Sequence, residues 1–184
     1  MNKFEKANLL VSLTESLRAN GSWSGETHLQ KAMYVLECVL GVPAGFEFIL
    51  YKHGPFSFDL RDEIGSLRAE GFFEWEVKSH GYGPSLKPGP MSDVLRRQFA
   101  GSVDAFKPKI EFVAAQLGKR NVADLERLTT AIFVTLNEST ARESRATRIN
   151  GLKRHVSLPE AENAVGEADQ LIGEAQKAFS VSTA

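Results

Sequence analysis

The chain has 184 residues and a mass of 20.3 kDa, with 22 lysines and arginines against 23 aspartates and glutamates. This length suits one compact domain, or one domain with a helical extension. The formal net charge of -1 excludes a polybasic protein that binds nucleic acid over its whole surface, but it allows a local basic patch. A single cysteine, Cys38, cannot form an internal disulfide, which is typical of a reducing compartment.

The sequence carries no pattern for export or for a membrane. Residues 1–6 are charged, and no uninterrupted apolar core follows them as it would in a signal peptide. No apolar run approaches the roughly 20 residues that span a bilayer. We therefore expect a soluble cytoplasmic protein with no membrane partner.

The first half of the chain predicts three helices, a strand and a hairpin. Apolar spacing predicts a helix over 3–19, a second one capped by Ser24 and stopped at Gly41, and a third over 57–70 capped by Ser57. The extended stretches are a strand over 46–51, ended by Gly54-Pro55, and a hairpin of strands over 72–77 and 85–88. This order of elements is that of a winged helix.

The second half is helical. Two predicted helices lie near 94–99 and 103–117. A third follows the capping pair Asn121 and Asp124, and a fourth runs from the Ser157 cap to about Phe179. We expect a mainly α protein with a small β-hairpin, an α+β chain. Its winged-helix-like core would cover 1–90, and a C-terminal helical subdomain over 91–184 would pack on it. The apolar face of 161–179 could pack on its own domain or on a second copy, and we lean towards a homodimer.

Two motifs together resemble a known family. The segment Leu29-Gln30-Lys31-Ala32-Met33-Tyr34 resembles the L-Q-K-x-x-Y segment of the Panacea domain, also called the SocA-like antitoxin domain, and of the related YwgA-like bacterial proteins. In these families an aromatic strand leads into a Y/H-G-P motif and a helix, matched here by Tyr51 and then His53-Gly54-Pro55-Phe56-Ser57. That helix ends in a pattern matched by Gly71-Phe72-Phe73. The resemblance covers about 25–78.

The resemblance implies a function through contact with another protein. Panacea proteins act as antitoxins that neutralise partner toxins directly, and one delivers its toxin to a protease. No activity is implied for the YwgA-like group, and no catalytic residues are implied for either. We therefore predict a non-enzymatic protein-binding module, such as an antitoxin or defence-system component. The residues expected to contact the partner protein are Tyr51, His53, Gly54, Pro55, Phe56 and Trp75.

Two interpretations of these motifs stay open. Gly54-Pro55 forms a rigid corner in one; in the other, His53 and the open N-terminus of helix 57–70 bind an anion or a partner carboxylate. In the first motif, Leu29 and Met33 are expected in the core. Lys31 is expected on a neighbouring face, where a lysine is usually solvated.

The main alternative to a protein-binding module is a DNA-binding winged-helix transcriptional regulator. The distribution of charge along the chain indicates where such a protein would contact DNA. Helix 57–70 has two basic against four acidic residues, a poor composition for a major-groove reader. Positive charge gathers instead in the basic segment, which we define as Arg142, Arg145, Arg148, Lys153 and Arg154, opposed by Glu143. This segment is either a patch for nucleic acid or an acidic partner, or a solvated face that pairs with the acidic final helix.

An enzyme is the weaker alternative. The histidines His28, His53, His80 and His155 are scattered and lack the spacing of a metal site, so we expect no metal. Neither a G-x-S-x-G nucleophile motif nor a phosphate-binding loop is present, so we expect no cofactor. Cys38 is expected as a packed thiol. The sign that would favour an enzyme is a pocket that gathers His53 with carboxylates.

Overall fold

The computed structural model describes residues 1–77, 83–138 and 141–179. Its elements are, in chain order, α1 (Lys3–Ala19), α2 (Glu26–Tyr34) with a π-helical turn (Val35–Val39), β1 (Ile49–Tyr51), β2 (Gly54–Phe56), α3 (Phe58–Ala69), β3 (Phe73–Glu76), β4 (Ser85–Pro88), α4 (Ser92–Gln98), short 3-10 turns (Ala100–Ser102 and Asp104–Phe106), α5 (Lys107–Leu117), α6 (Val122–Glu138), α7 (Arg142–Leu152) and α8 (Leu158–Phe179). The mainly α class with small β-hairpins is confirmed. The winged-helix assignment stays a prediction.

The chain divides into two compact units. Unit 1 comprises Met1–Phe48 and Ser57–Arg120, and unit 2 comprises Ile49–Phe56 and Asn121–Ala184. This division differs from the predicted boundary between 90 and 91. Residues 91–120 belong with the N-terminal helices because α5 buries its apolar face, including Val113 and Ala114, in a unit where it packs on α1.

Unit 1 is built around α1, whose leucines are fully buried, and around the hairpin β3–β4. The helix begins with a capping box, since the Asn2 side chain accepts from the Glu5 backbone N–H and the Glu5 carboxylate accepts from Asn2 N–H. Strands β3 and β4 pair antiparallel, with Phe73 opposite Pro88. The Leu86 N–H also donates to the Ser24 carbonyl at 2.8 Å, so the segment before α2 extends this hairpin.

Two predictions in unit 1 were wrong in detail. Ser24 does not cap α2: the N-cap is Gly25, and Ser24 has a φ of 55° with its carbonyl bonded to β4. Cys38 is exposed instead of packed, because it lies in the π-helical turn that ends α2 and changes the helical register there. Desolvation and the neighbouring Glu37 raise the pKa of Cys38 to about 11, so its thiol stays protonated near neutral pH.

Unit 2 combines the hairpin β1–β2 with three C-terminal helices. The predicted strand 46–51 shortens to β1, and Gly54-Pro55 begins the return strand β2 instead of ending the sheet. Ile49 pairs opposite Phe56 and Tyr51 opposite Gly54, which leaves Lys52-His53 as the turn. This hairpin contacts α6, and α6, α7 and α8 pack on one another.

The apolar face of α8 is covered within unit 2. Its buried residues are Ala161, Ala164, Val165, Ala168, Leu171 and Ala175. At its start the Ser157 N–H donates to the Glu160 carboxylate at 2.9 Å, as expected of a capping box. A homodimer therefore stays a prediction that needs a surface other than this face. None of the helices in the described ranges is long and apolar enough to cross a membrane.

Candidate functional site

The last residue of the second motif, Ser57, lies in unit 1 and contacts the first motif. The Gln30 side-chain amide donates to the Ser57 carbonyl at 2.9 Å, and its oxygen accepts from the Ser57 N–H at 3.0 Å. Ser57 Oγ accepts in turn from the Leu60 N–H at 3.2 Å and caps α3, as predicted. Both Gln30 and Ser57 are fully buried. The Ser57 and Leu60 N–H groups therefore have partners within unit 1, which favours a structural role for this helix start, and anion binding there stays a prediction.

The L-Q-K-x-x-Y motif is a core segment. Lys31 and Tyr34 are almost fully buried, so the prediction of Lys31 on a solvated face was wrong. The ring of Tyr34 stands edge-on to Phe48, with centroids 5.3 Å apart. Burial and the nearby Cys38 raise the pKa of Tyr34 far above its ordinary value, so its hydroxyl remains protonated. This motif therefore stabilises the core of unit 1, and its buried side chains do not form a contact surface.

In unit 2 the hairpin β1–β2 is seated closely on α6. Gly54 has a φ of +87°, and a Cβ at this position would lie 3.2 Å from Thr130 Oγ1 and 3.3 Å from Thr129 Oγ1. A side chain here would be strained by its backbone and crowded by α6. Gly54 and Pro55 were predicted to contact a partner, but both are buried. Their role in the structure is to let the hairpin pack closely on α6.

A buried lysine fastens the turn of this hairpin. Lys153 follows α7, and its ammonium donates to the backbone carbonyl of Tyr51 at 2.9 Å and to that of Lys52. The same Nζ lies 3.2 Å from Glu126 Oε1 on α6. The ammonium thus forms two hydrogen bonds to carbonyls and one ion pair with a carboxylate. Lys153 is 6% exposed, so its charge is used inside unit 2.

Glu126 is the centre of a small charged cluster. Its carboxylate lies 3.3 Å from His53 Nδ1 and 3.4 Å from His155 Nε2, in addition to the Lys153 contact. Burial acts to raise the pKa of Glu126, but the hydrogen bond and charge of Lys153, with His53 and His155, outweigh it and hold the pKa below its ordinary value. Both histidine side chains are more than 60% exposed, whereas the Glu126 side chain is buried beneath them.

An open cavity of about 480 Å³ lies beside this cluster. Its walls come from the end of the hairpin and the segment between α7 and α8, and the lining residues are Leu50, Tyr51, Lys52, Gly151, Leu152, Lys153, Arg154 and His155. Tyr51 is 52% exposed, and its ring is tilted against Phe56 with centroids 5.7 Å apart. The structure thus brings together Tyr51, His53, Gly54, Pro55 and Phe56 in one hairpin, as their adjacency in the chain requires.

Trp75, the remaining predicted contact residue, lies on β3 in unit 1. It is half-buried, and the Arg68 guanidinium lies over its ring at 4.5 Å from the centroid. Phe58 in the same unit is 40% exposed and is covered in a similar way by Arg61 at 5.1 Å. Trp75 and the β1–β2 hairpin accordingly belong to different units.

The basic segment does not form one patch of solvated charges. Arg145 is 9% exposed and makes a bidentate pair with Asp169 on α8, at 2.6 and 2.9 Å. Arg148 pairs with Glu138 at 3.1 Å, and the Arg142 guanidinium donates to the Glu162 carbonyl at 3.4 Å. Lys153 and Arg154 both line the cavity, and Lys153 is paired with Glu126.

Glu126 and Lys52 were missed by sequence reasoning. Glu126 stands beside the apolar stripe of α6 and has no sequence pattern linking it to residues 53, 153 and 155. Within residues 1–77, 83–138 and 141–179, no group of three or more His, Cys, Asp or Glu side chains is arranged to hold a metal. His80 lies outside those ranges.

Comparison with known proteins adds no relative. No family model matches the chain, and no curated protein matches it. The resemblance to the Panacea and YwgA-like families stays a prediction based on the two motifs.

Proposed function

We propose that this chain is a non-enzymatic protein-binding module that neutralises or delivers a partner protein, such as a toxin, by direct contact. The observation that carries this proposal is an exposed apolar edge on a firmly held hairpin. Ile49 and Tyr51 are 49% and 52% exposed, and their spacing places them on one face of β1. Large apolar and aromatic side chains of this kind supply most of the energy of protein interfaces.

The anchoring of the hairpin supports the same function. Lys153 fixes the turn through two carbonyls, and Gly54 lets the strand lie close to α6. A surface that is ordered before binding loses less conformational entropy when a partner docks. Lys52 and Arg154 lie next to the apolar edge and favour a partner with acidic residues. In unit 1, Trp75 and Phe58 are further candidate contact residues.

Co-expression with each neighbouring gene product tests the proposal. We expect one of them to co-purify with the chain and to lose its toxicity in the cell. Ile49→Ala and Tyr51→Ala should weaken this complex at least about tenfold, which is the loss of one or two good interface contacts. Val122→Ala is the matched control, because Val122 is a β-branched residue of similar exposure, 54%, outside the hairpin. A chain that stays alone and neutralises none of its neighbours would contradict the proposal.

The DNA-binding alternative depends on the basic segment. Two of its five members, Arg145 and Lys153, have buried charges with internal partners, which reduces the charge available for phosphates. The informative variants are therefore Arg148→Glu and Arg154→Glu, measured by retention on DNA across a salt series. Retention that falls with salt and with both variants would support this regulator, and no retention at low salt would exclude it.

A second candidate function, an enzyme, is favoured by one specific observation. His53 lies against Oε2 of the Glu126 carboxylate, and His155 lies against Oε1 of the same group. Imidazoles oriented by a carboxylate are suited to proton transfer. Hydrolysis of p-nitrophenyl acetate and bis(p-nitrophenyl) phosphate tests this function. Activity that disappears in both His53→Ala and His155→Ala would support it, and activity equal to buffer would count against it.

A further inference from the structure

We propose that the cavity between the β1–β2 turn and the segment after α7 binds a small phosphate ester of nucleotide size. Its volume of about 480 Å³ lies within the usual range of small-molecule pockets, roughly 300–1,000 Å³. The residues that line the cavity include the cations Lys52 and Arg154 together with Leu50 and Tyr51. This combination fits a ligand with an anionic group at one end and a flat or apolar group at the other.

The charge of the cavity selects an anion. Lys52, Lys153 and Arg154 bring three positive charges to its lining, and no aspartate or glutamate is among the lining residues in the part of the chain described. The nearby Glu126 is paired with Lys153, so these two charges offset each other. The two positive charges that remain are those of Lys52 and Arg154. Within the described ranges neither of these side chains has an ion-pair partner.

The chemistry of these groups suits a phosphate in particular. An arginine guanidinium binds two phosphate oxygens at once, and lysine supplies a compact charge. His155 adds a ring nitrogen on the same segment as Arg154. Lys153 joins this segment to the turn through the Tyr51 and Lys52 carbonyls, so the backbone that carries Lys52 and Arg154 is held before the ligand arrives.

The apolar and aromatic residues of the cavity lining favour a nucleotide-sized ester over a free phosphate ion. Leu50, Tyr51 and Leu152 line the cavity, and the exposed ring of Tyr51 offers a face on which a planar base can stack. A phosphate alone would fill a small part of the cavity and would leave this surface wet. Contact with both the cations and the apolar residues therefore requires a phosphate joined to a larger group.

Isothermal titration with adenosine monophosphate, adenosine and inorganic phosphate tests the site. We expect adenosine monophosphate to bind with a Kd below about 1 mM, and adenosine and phosphate each at least about tenfold more weakly. Arg154→Ala and Lys52→Ala should each weaken the binding of adenosine monophosphate at least about tenfold, since each removes a charge-assisted contact. Arg97→Ala and Lys119→Ala are the matched controls, because both are exposed cations in unit 1.

The outcomes separate a built phosphate site from general attraction to charge and from a nucleic-acid surface. No binding of adenosine monophosphate at 10 mM, taken as about ten times the expected Kd, would overturn the proposal. Equal weakening by the unit 1 control variants would also overturn it, because it would show attraction to overall charge. Binding of a single-stranded oligonucleotide without binding of the monophosphate would overturn it in favour of nucleic acid. Ile49→Ala should leave the titration unchanged, so failure of the partner proposal does not affect this one.

Discussion

The two hairpins of this protein are held in place by different means. The hairpin β3–β4 in unit 1 has four residue pairs, a further backbone bond from Leu86 to Ser24, and ion pairs at its surface. Glu74 pairs with Lys87 at 3.1 Å, and Glu76 pairs with Arg18 at 2.8 Å. The hairpin β1–β2 in unit 2 has three residue pairs and depends on a buried ammonium.

This difference shows that a charge's location decides its role. In β3–β4 the sequence has an acidic excess, yet both strand carboxylates are matched by nearby cations at half-exposed positions. In β1–β2 the cation that fixes the turn lies 102 residues away from Tyr51 and is buried. We therefore expect unit 2 to be sensitive to single charge changes that unit 1 tolerates.

The largest expected effect is that of Lys153→Met. This change removes the donor to two carbonyls and leaves Glu126 without its ammonium, at a cost of about 3 kcal/mol in the free energy of unfolding. Urea denaturation would measure it. The double variant with Glu126→Gln should lose less than the sum of the single variants, because no unpaired charge then remains. Additive losses would show that the pair is not coupled.

Gly54→Ala should have the next largest effect, about 2 kcal/mol, because it combines a left-handed backbone with crowding by Thr129 and Thr130. Gly45→Ala is the matched control, since Gly45 has a φ of +79° and a methyl group added there would meet no atom within 4 Å. It should cost only the backbone strain, about 1 kcal/mol. Thermal unfolding of both variants provides the measurement, and equal losses would mean that contact with α6 is unimportant.

An acid titration sharpens the same comparison. The pKa of Glu126 is lower in the folded chain than its ordinary value of 4.5, so the stabilisation from this group is present above that value and is lost as the pH falls through the folded pKa. Glu126→Gln lacks this contribution. Its stability should therefore decline less than that of the natural chain between pH 7 and about pH 3, as followed by urea denaturation. Parallel declines would argue against a charged pair at this position.

The smallest effect is expected in β3–β4. Lys87→Met removes an ion pair whose side chains are 39% and 45% exposed, and it should change the free energy of unfolding by no more than about 0.5 kcal/mol. The measurement is the same urea denaturation used for Lys153→Met. A loss comparable to that of Lys153→Met would remove the distinction between the two hairpins.

Local signals in the sequence predicted much of the fold. Helix α1, the Ser57 cap of α3 and the capping pair Asn121 with Asp124 were all confirmed, because periodicity and caps depend on residues within a few positions. The pairing of β1 with β2 was missed, since Gly54-Pro55 also fits a simple strand end. Three residue pairs give too weak a local pattern to separate these cases.

The candidate site was less predictable. Tyr51 and His53 were expected at a surface, and they are exposed. Lys153 was expected in a basic patch, and its contacts with Glu126 and the β1–β2 turn were not predicted, because they join segments that are far apart in the chain. Buried polar residues such as Gln30 have the same composition as solvated ones, so their role is evident only when the acceptor from another segment is known.

The discontinuity of unit 2 has a consequence for folding during synthesis. The hairpin over 49–56 leaves the ribosome long before α6, and its lysine anchor lies 102 positions after Tyr51. During that interval the strand pair lacks the helix against which Gly54 and Pro55 are buried, and a two-stranded hairpin alone is marginally stable. Closure of so long a loop is slow compared with local helix formation. Unit 2 should therefore complete its fold only after most of the chain has been made.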